Sequence, residues 1–144
     1  MNSTDASKGP LAGVKVVELA HVMAGPTCGR MLADMGADVI KVERGGDDSR
    51  RDTIASEADN EDSQAFMMIN RNKRGVAIDL KTPGGKEVLE TLLAEADVVV
   101  ENYRHDVMQK LGFGYEELHE RYQRLVYCAI SGFGRSGHYS ERGG

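Results

Sequence analysis

Four things are scarce in this 144-residue chain: cysteine (two), aromatic side chains (6%, with no tryptophan), proline (three) and uninterrupted apolar runs. The first and the last of these exclude something. Cys28 and Cys128 stand a hundred positions apart, each in an apolar stretch. That matches neither a disulfide framework nor a metal-ligand spacing, so they read as reduced core thiols. The apolar run at residues 96–100 is broken by Asp97 and falls far short of the roughly 18 residues a membrane-spanning helix needs. Positive charge is also short: 18 lysines and arginines against 23 acids leave a net −5. This argues against nucleic acid or an anionic membrane as a partner, since both need clustered positive surface. An anionic ligand must find basic groups concentrated locally. Residues 1–10 are polar, lack the pattern of a secretory signal and read as a flexible leader, which leaves the cytoplasm as the default compartment.

What is present, 40% apolar and 28% charged residues, is the composition of one globular domain or part of one. Residues 14–19 form a short β-branched run, read as a strand, and Gly25-Pro26 then turns into a helix whose apolar positions from Thr27 are Cys28, Met31, Leu32 and Met35. Gly36 stops that helix, and residues 38–43 return to strand character. Residues 44–63 are polar, acidic and aperiodic, a long exposed loop. Order resumes at 64–70, a third strand is expected at 75–80, and Thr82-Pro83 supplies the N-cap and first proline of a helix with Val88, Leu89, Leu92, Leu93 and Ala96 on one face. A buried strand at 97–101, short helices at 107–111 and 115–122, and a fifth strand at 124–131 complete the alternation. Such alternation predicts an α/β fold, an open, mostly parallel sheet with flanking helices, whose ligands sit at the carboxyl ends of the strands. The chain then ends on Gly143-Gly144 with no closing helix, so residues 11–144 are expected to be the truncated amino-terminal part of a larger domain.

Several motifs fail on context. Gly132 to Gly137 fits G-x-G-x-x-G after a strand, but neither a helix nor a distal acid follows, so it reads as a glycine turn. His21, His105, His119 and His138 show no metal spacing, and no metal is expected. Glu57, Asp59, Glu61 and Asp62 lack the frame of a calcium loop and read as solvated. The basic stretch Arg71, Asn72, Lys73, Arg74 is either a phosphate-binding segment or a solvated turn. More telling is recurrence. His21 follows the first strand, Arg44 the second, Lys81 the third, and Asn102 to Arg104 the fourth, so polar or basic groups recur where strands reach the ligand edge. A polyanionic ligand there is the leading expectation.

Specific strings carry a resemblance: GVKVVEL at 13–19, HVMAGP at 21–26, LADMGADVIKVER at 32–44, NKR at 72–74, IDLKTPGGK at 78–86, DVVVENY at 97–103 and ISGFG at 130–134. In order and spacing the chain resembles the class III CoA-transferases (the CaiB/BaiF family, which includes formyl-CoA transferase) and their relatives the α-methylacyl-CoA racemases. The resemblance covers residues 10–144 and about a third of a family member. It implies a Rossmann-like domain with coenzyme A along its strand ends, and an interlocked homodimer. By position it implies contacts from His21, Val22, Met23 and Ala24 near the pantetheine and thioester. It further implies contacts from Arg44, from Ile78, Asp79, Leu80 and Lys81, from Asn102, Tyr103 and Arg104, and from Lys110 around the adenosine and phosphates. Coenzyme A carries roughly four negative charges, which suits such a basic edge. Met23 stands where formyl-CoA transferases have glutamine, which tells against oxalate or formate as substrate.

The implied activity is transfer of CoA from an acyl-CoA to a carboxylic acid acceptor, through attack of an aspartate on the thioester and a mixed anhydride. That aspartate would fall beyond Gly144, so no residue of this chain is assigned as catalytic and the chain alone is expected to be inactive. The alternatives are the racemase branch and a non-catalytic CoA-binding remnant.

Overall fold

Five strands form one wholly parallel sheet in the order β3-β2-β1-β4-β5, as a computed structural model shows for the described residues 9–44 and 64–142. β1 (Lys15–Leu19) pairs with β2 (Asp38–Glu43) on one side and β4 (Val98–Glu101) on the other. β3 (Lys73–Ala77) extends the sheet from β2, and β5 (Val126–Ala129) extends it from β4. The expected α/β sheet with flanking helices is the one observed. The 45–63 loop and most of the 1–10 leader lie outside the described residues.

Alternation along the strands sorts side chains onto two faces, and both are covered, which is why the strands read as nearly continuous apolar runs. On one face Val17, Leu19, Val42 and Val99 meet Leu89 and Leu93 of α3 (Pro83–Ala94), Met108 of α4 (Val107–Leu111) and Leu118 of α5 (Tyr115–Arg121). Burial of each such aliphatic side chain contributes about 1.5–3 kcal/mol. On the other face Val16, Val39 and Val100 meet Ala33 of α1 (Ala24–Asp34), which also packs against α2 (Gln64–Asn70).

Local chemistry sets the boundaries. Thr82 caps α3 as expected, its hydroxyl accepting from Gly85 N–H at 3.0 Å, an interaction of about 1 kcal/mol. Several boundaries differ from the sequence reading, some by a single residue. α1 begins at Ala24, so Gly25 and Pro26 fall inside its first turn. β3 begins at Lys73, two residues early, because Lys73 pairs in register with Val39 and turns its ammonium into the interior, and it ends at Ala77, three residues before the expected end. β5 is shorter than expected, and residues 131–142 follow it in bends and turns without a helix.

Candidate functional site

The strand order reverses its progression between β1 and β4, and in open parallel sheets that switch point opens a crevice at the carboxyl edge. There the chain leaves β1 through Ala20 and His21 and turns into α1. The turn is held from the side. His21 N–H donates to Asn102 Oδ1 at 2.8 Å, and Asn102 Nδ2 donates to His21 O at 2.7 Å. The His21 and Tyr103 rings lie 5.1 Å apart, tilted by 59°. Val22 adopts φ 64°, the left-handed region, which costs a β-branched residue about 1–3 kcal/mol and persists only under outside constraint. Gly25 lets the turn close, since a Cβ there would stand 2.1 Å from Ala20 Cβ. Val22 and Met23 remain exposed, at 70% and 47%. α1 has no side-chain cap, so its first N–H groups face the same edge unmet by a side chain.

The structure brings most of the sequence-predicted residues to this edge. Arg44 follows β2, residues 78–81 follow β3, and Asn102, Tyr103 and Arg104 follow β4, so four neighbouring strands at about 4.8 Å spacing present them in a row. Arg44, Lys81 and Arg104 are exposed and enter no ion pair among the described residues. Ile78 is different. Its side chain is part of the core and its N–H donates to Glu43 O at 2.7 Å, so this position faces the edge with main chain alone. Asp79 shapes the turn into α3, its carboxylate accepting from Lys81 N–H and its carbonyl from the Thr82 hydroxyl. Leu80 is half-buried against the core. Lys110 stands apart from the strand ends, on α4, ion-paired with Asp106 at 2.8 Å.

The basic stretch 71–74 lies elsewhere and is used internally. Arg71 makes a two-pronged contact with Asp34 at 3.1 and 2.7 Å, joined by Asn72 at 2.8 Å. Arg74 grips Asp38 at 2.8 and 2.6 Å, at the amino end of the strands. These side chains tie α1 and β2 to β3 rather than offering a phosphate site. Beside Asp38 and Arg74 a cavity of about 210 Å3 opens, lined also by Lys15, Thr91 and Glu95, on the side of the sheet opposite the turn.

Two buried charge clusters escaped the sequence reading. Beneath the turn, fully buried Glu18 meets Lys41 and Lys73. Burial, only partly offset by Glu18, pushes the Lys73 ammonium below its ordinary pKa. At the end of β4, fully buried Glu101 accepts from Tyr103 N–H at 2.9 Å, from Arg135 Nη2 at 2.5 Å and from the Tyr127 hydroxyl at 3.3 Å. Arg135 belongs to the glycine segment 132–137, which forms turns and no dinucleotide loop, so that segment is anchored to β4. The available signal was a charged residue inside an otherwise apolar strand: Glu18 in KVVEL, Lys41 in DVIKVE, Glu101 in VVVE.

Cys28 and Cys128 are free and half-buried. Burial raises the Cys28 thiol first, and Cys128, brought beside it by the packing of α1 on the sheet, raises it further. Among the described residues no cluster of three metal-ligating side chains occurs, and no helix is long and apolar enough to cross a membrane.

Comparison with known proteins relates the whole described fold to one family. The sequence model of CoA-transferase family III matches residues 11–144. Succinate–glutarate CoA-transferase of Agrobacterium fabrum is 48% identical over 143 residues, 95% of this chain and 36% of that protein. Human succinyl-CoA:glutarate CoA-transferase is 41% identical, covering 94% of this chain and 31% of its own length. Formyl-CoA:oxalate CoA-transferase of Afipia carboxidovorans is 43% identical over 86% of this chain and 29% of its own length. A crystal structure of a CaiB/BaiF family protein from Brucella suis superposes with a TM-score of 0.84 at 46% identity over 95% of this chain and 37% of that one. The chain thus spans about a third of the length of the curated relatives it matches.

Proposed function

Since this chain belongs to CoA-transferase family III, we propose that its strand-end row is the coenzyme A cradle of an enzyme that moves CoA between carboxylic acids. The observation that carries the reading is the row itself: a clamped, strained turn with exposed Val22 and Met23 at the switch point, flanked by exposed Arg44, Lys81 and Arg104. The chemistry fits coenzyme A at both ends. Exposed apolar side chains and uncapped helix N–H groups suit the pantetheine arm and thioester carbonyl, and guanidinium and ammonium groups suit phosphates. The row runs across strands, so an elongated ligand can meet both in one pose.

In this reading the residues of the chain bind and orient. The Asn102 clamp fixes the turn that faces the thioester, and the basic groups hold the nucleotide. The nucleophilic carboxylate that would form the mixed anhydride is assigned to none of its aspartates, and a partner chain in an interlocked homodimer would complete the site. Relatives named for succinate and glutarate suggest such longer dicarboxylates as acyl donor and acceptor, and Met23, in place of the glutamine of formyl-CoA transferases, is consistent with them over oxalate.

The test is a transfer assay on the intact protein: succinyl-CoA with glutarate, followed by mass spectrometry of the CoA esters. Glutaryl-CoA formation in step with succinyl-CoA loss supports the reading. Hydrolysis alone, or no turnover with any of several acyl-CoA and carboxylate pairs, opposes it. Residues 1–144 by themselves should form no acyl adduct on a carboxylate, because covalent catalysis needs a nucleophile placed at the thioester carbon.

A further inference from the structure

The turn at His21–Ala24 rests on a charge cluster that the cradle does not explain. Glu18 is fully buried, and its carboxylate meets Lys41 Nζ at 2.9 Å and Lys73 Nζ at 2.7 Å, with side-chain exposures of 0%, 8% and 2% respectively. Each lysine also binds the backbone. Lys41 Nζ donates to Ala20 O at 2.9 Å, and Lys73 Nζ donates to Pro26 O at 2.8 Å and to Asn70 Oδ1 at 2.9 Å. Ala20 directly precedes the turn and Pro26 lies in the first helical turn of α1 that follows it, so the two ammonium groups hold the backbone on either side of the turn from below while Asn102 holds it from the side. Gly29 keeps the space open, since a Cβ there would lie 1.8 Å from Glu18 Oε2.

Stability alone is a poor reason for such a cluster. A buried ion pair contributes no more on average than apolar residues of the same volume, because desolvation offsets the attraction. What an apolar core cannot supply is a directional hold on two carbonyl oxygens. Their placement sets the path of the backbone through Val22 at φ 64°, a conformation that relaxes if its ends are free.

We propose that Glu18, Lys41 and Lys73 are positioning residues, which fix the β1–α1 turn in the one shape that receives the pantetheine and thioester end of an acyl-CoA. This rests on the cradle reading above. The triad acts through the turn and touches no ligand. Glu18 sets the spacing of the two lysines, and each lysine sets one end of the turn.

The experiment is calorimetric titration of the intact protein with coenzyme A and, separately, with adenosine 3′,5′-bisphosphate, which lacks the pantetheine arm. If the wild type binds neither, the cradle reading itself fails. Given binding, folded Lys41→Met, Lys73→Met and Glu18→Gln variants should each weaken coenzyme A about 10- to 100-fold, the scale of a misplaced contact, and leave the bisphosphate unchanged. Two results overturn the proposal. Unchanged coenzyme A affinity is one. The other is tighter binding by Glu18→Gln with a parallel change in the bisphosphate, which would assign the effect to net charge. If the variants do not fold, amide exchange in the wild type decides: the His21 and Thr27 N–H groups, bonded to Asn102 Oδ1 and Met23 O, should exchange as slowly as those of β1. Exchange as fast as residues 132–138 in a folded protein contradicts the proposal.

Discussion

Asn102 holds both backbone polar groups of His21, accepting from its N–H and donating to its C=O, so the loops after β1 and β4 form one unit. Two half-buried hydrogen bonds of about 0.5–1.5 kcal/mol each are lost together in Asn102→Ala. That variant should be about 1–3 kcal/mol less stable, and its remaining folded protein should bind coenzyme A more weakly. Asn102→Asp keeps the acceptor but sets a carboxylate against His21 O, so it should do no better than alanine. Urea unfolding with a parallel titration checks both; an unchanged midpoint for Asn102→Ala would remove the clamp.

Arg44 stands exposed at the end of β2 with no ion pair among the described residues, which leaves its guanidinium accessible to a ligand phosphate. Arg44→Ala should weaken coenzyme A by about 1–3 kcal/mol, the scale of one charge-assisted contact. Dephospho-CoA identifies the phosphate: if Arg44 meets the 3′-phosphate, wild type and variant should bind dephospho-CoA equally. Equal affinity of the two proteins for coenzyme A would place Arg44 outside the site.

Tyr127 supplies a pH prediction. Its burial, and then the neighbouring Glu101 carboxylate, raise the phenol well above its ordinary 10.0. Above pH 10 the unfolded chain loses this proton while the folded chain keeps it, so ionisation favours unfolding and stability falls as pH rises. Below pH 10 the phenol is neutral in both states and the effect vanishes. Tyr127→Phe should flatten the fall in urea midpoint above about pH 10. Some slope should remain, because the hydrogen bond to Glu90 and then burial raise Tyr122 in the same direction. A variant with the wild-type slope would contradict the burial argument.

β5 is an edge strand among the described residues, with Val126 exposed at 59%, and Met31, Met67 and Met68 are each 54% exposed on the α1 and α2 layer. An open strand edge and exposed apolar side chains favour association. The 144-residue chain should sediment with a concentration-dependent coefficient. A monomer with a sharp, concentration-independent melt would contradict this.

The sequence revealed the order of elements and the row of polar residues at the strand ends, because both rest on local signals: β-branched runs, Thr82-Pro83, Gly36, and polar residues recurring at strand ends. β2 was legible to the residue. What it concealed were partnerships across the chain. Lys73 and Arg74 read as part of a phosphate-binding segment or a solvated turn because their carboxylates, Glu18 and Asp38, lie 55 and 36 positions away. Arg135 sat in a segment that looked like idle glycine turn until its contact with Glu101 was visible. Cys28 and Cys128 looked unrelated for the same reason. Ile78 was named through its family position, yet its side chain belongs to the core.

The most direct measurement of the central claim is a map of coenzyme A on the chain itself, by amide chemical-shift perturbation of the 15N-labelled protein. The account predicts shifts at 21–24, 44, 79–81 and 102–104, saturating together, with little change at Lys15, Asp38, Arg74 and Glu95 around the opposite cavity. Shifts centred on that amino-edge cavity, or none at saturating coenzyme A in a folded protein, would contradict it.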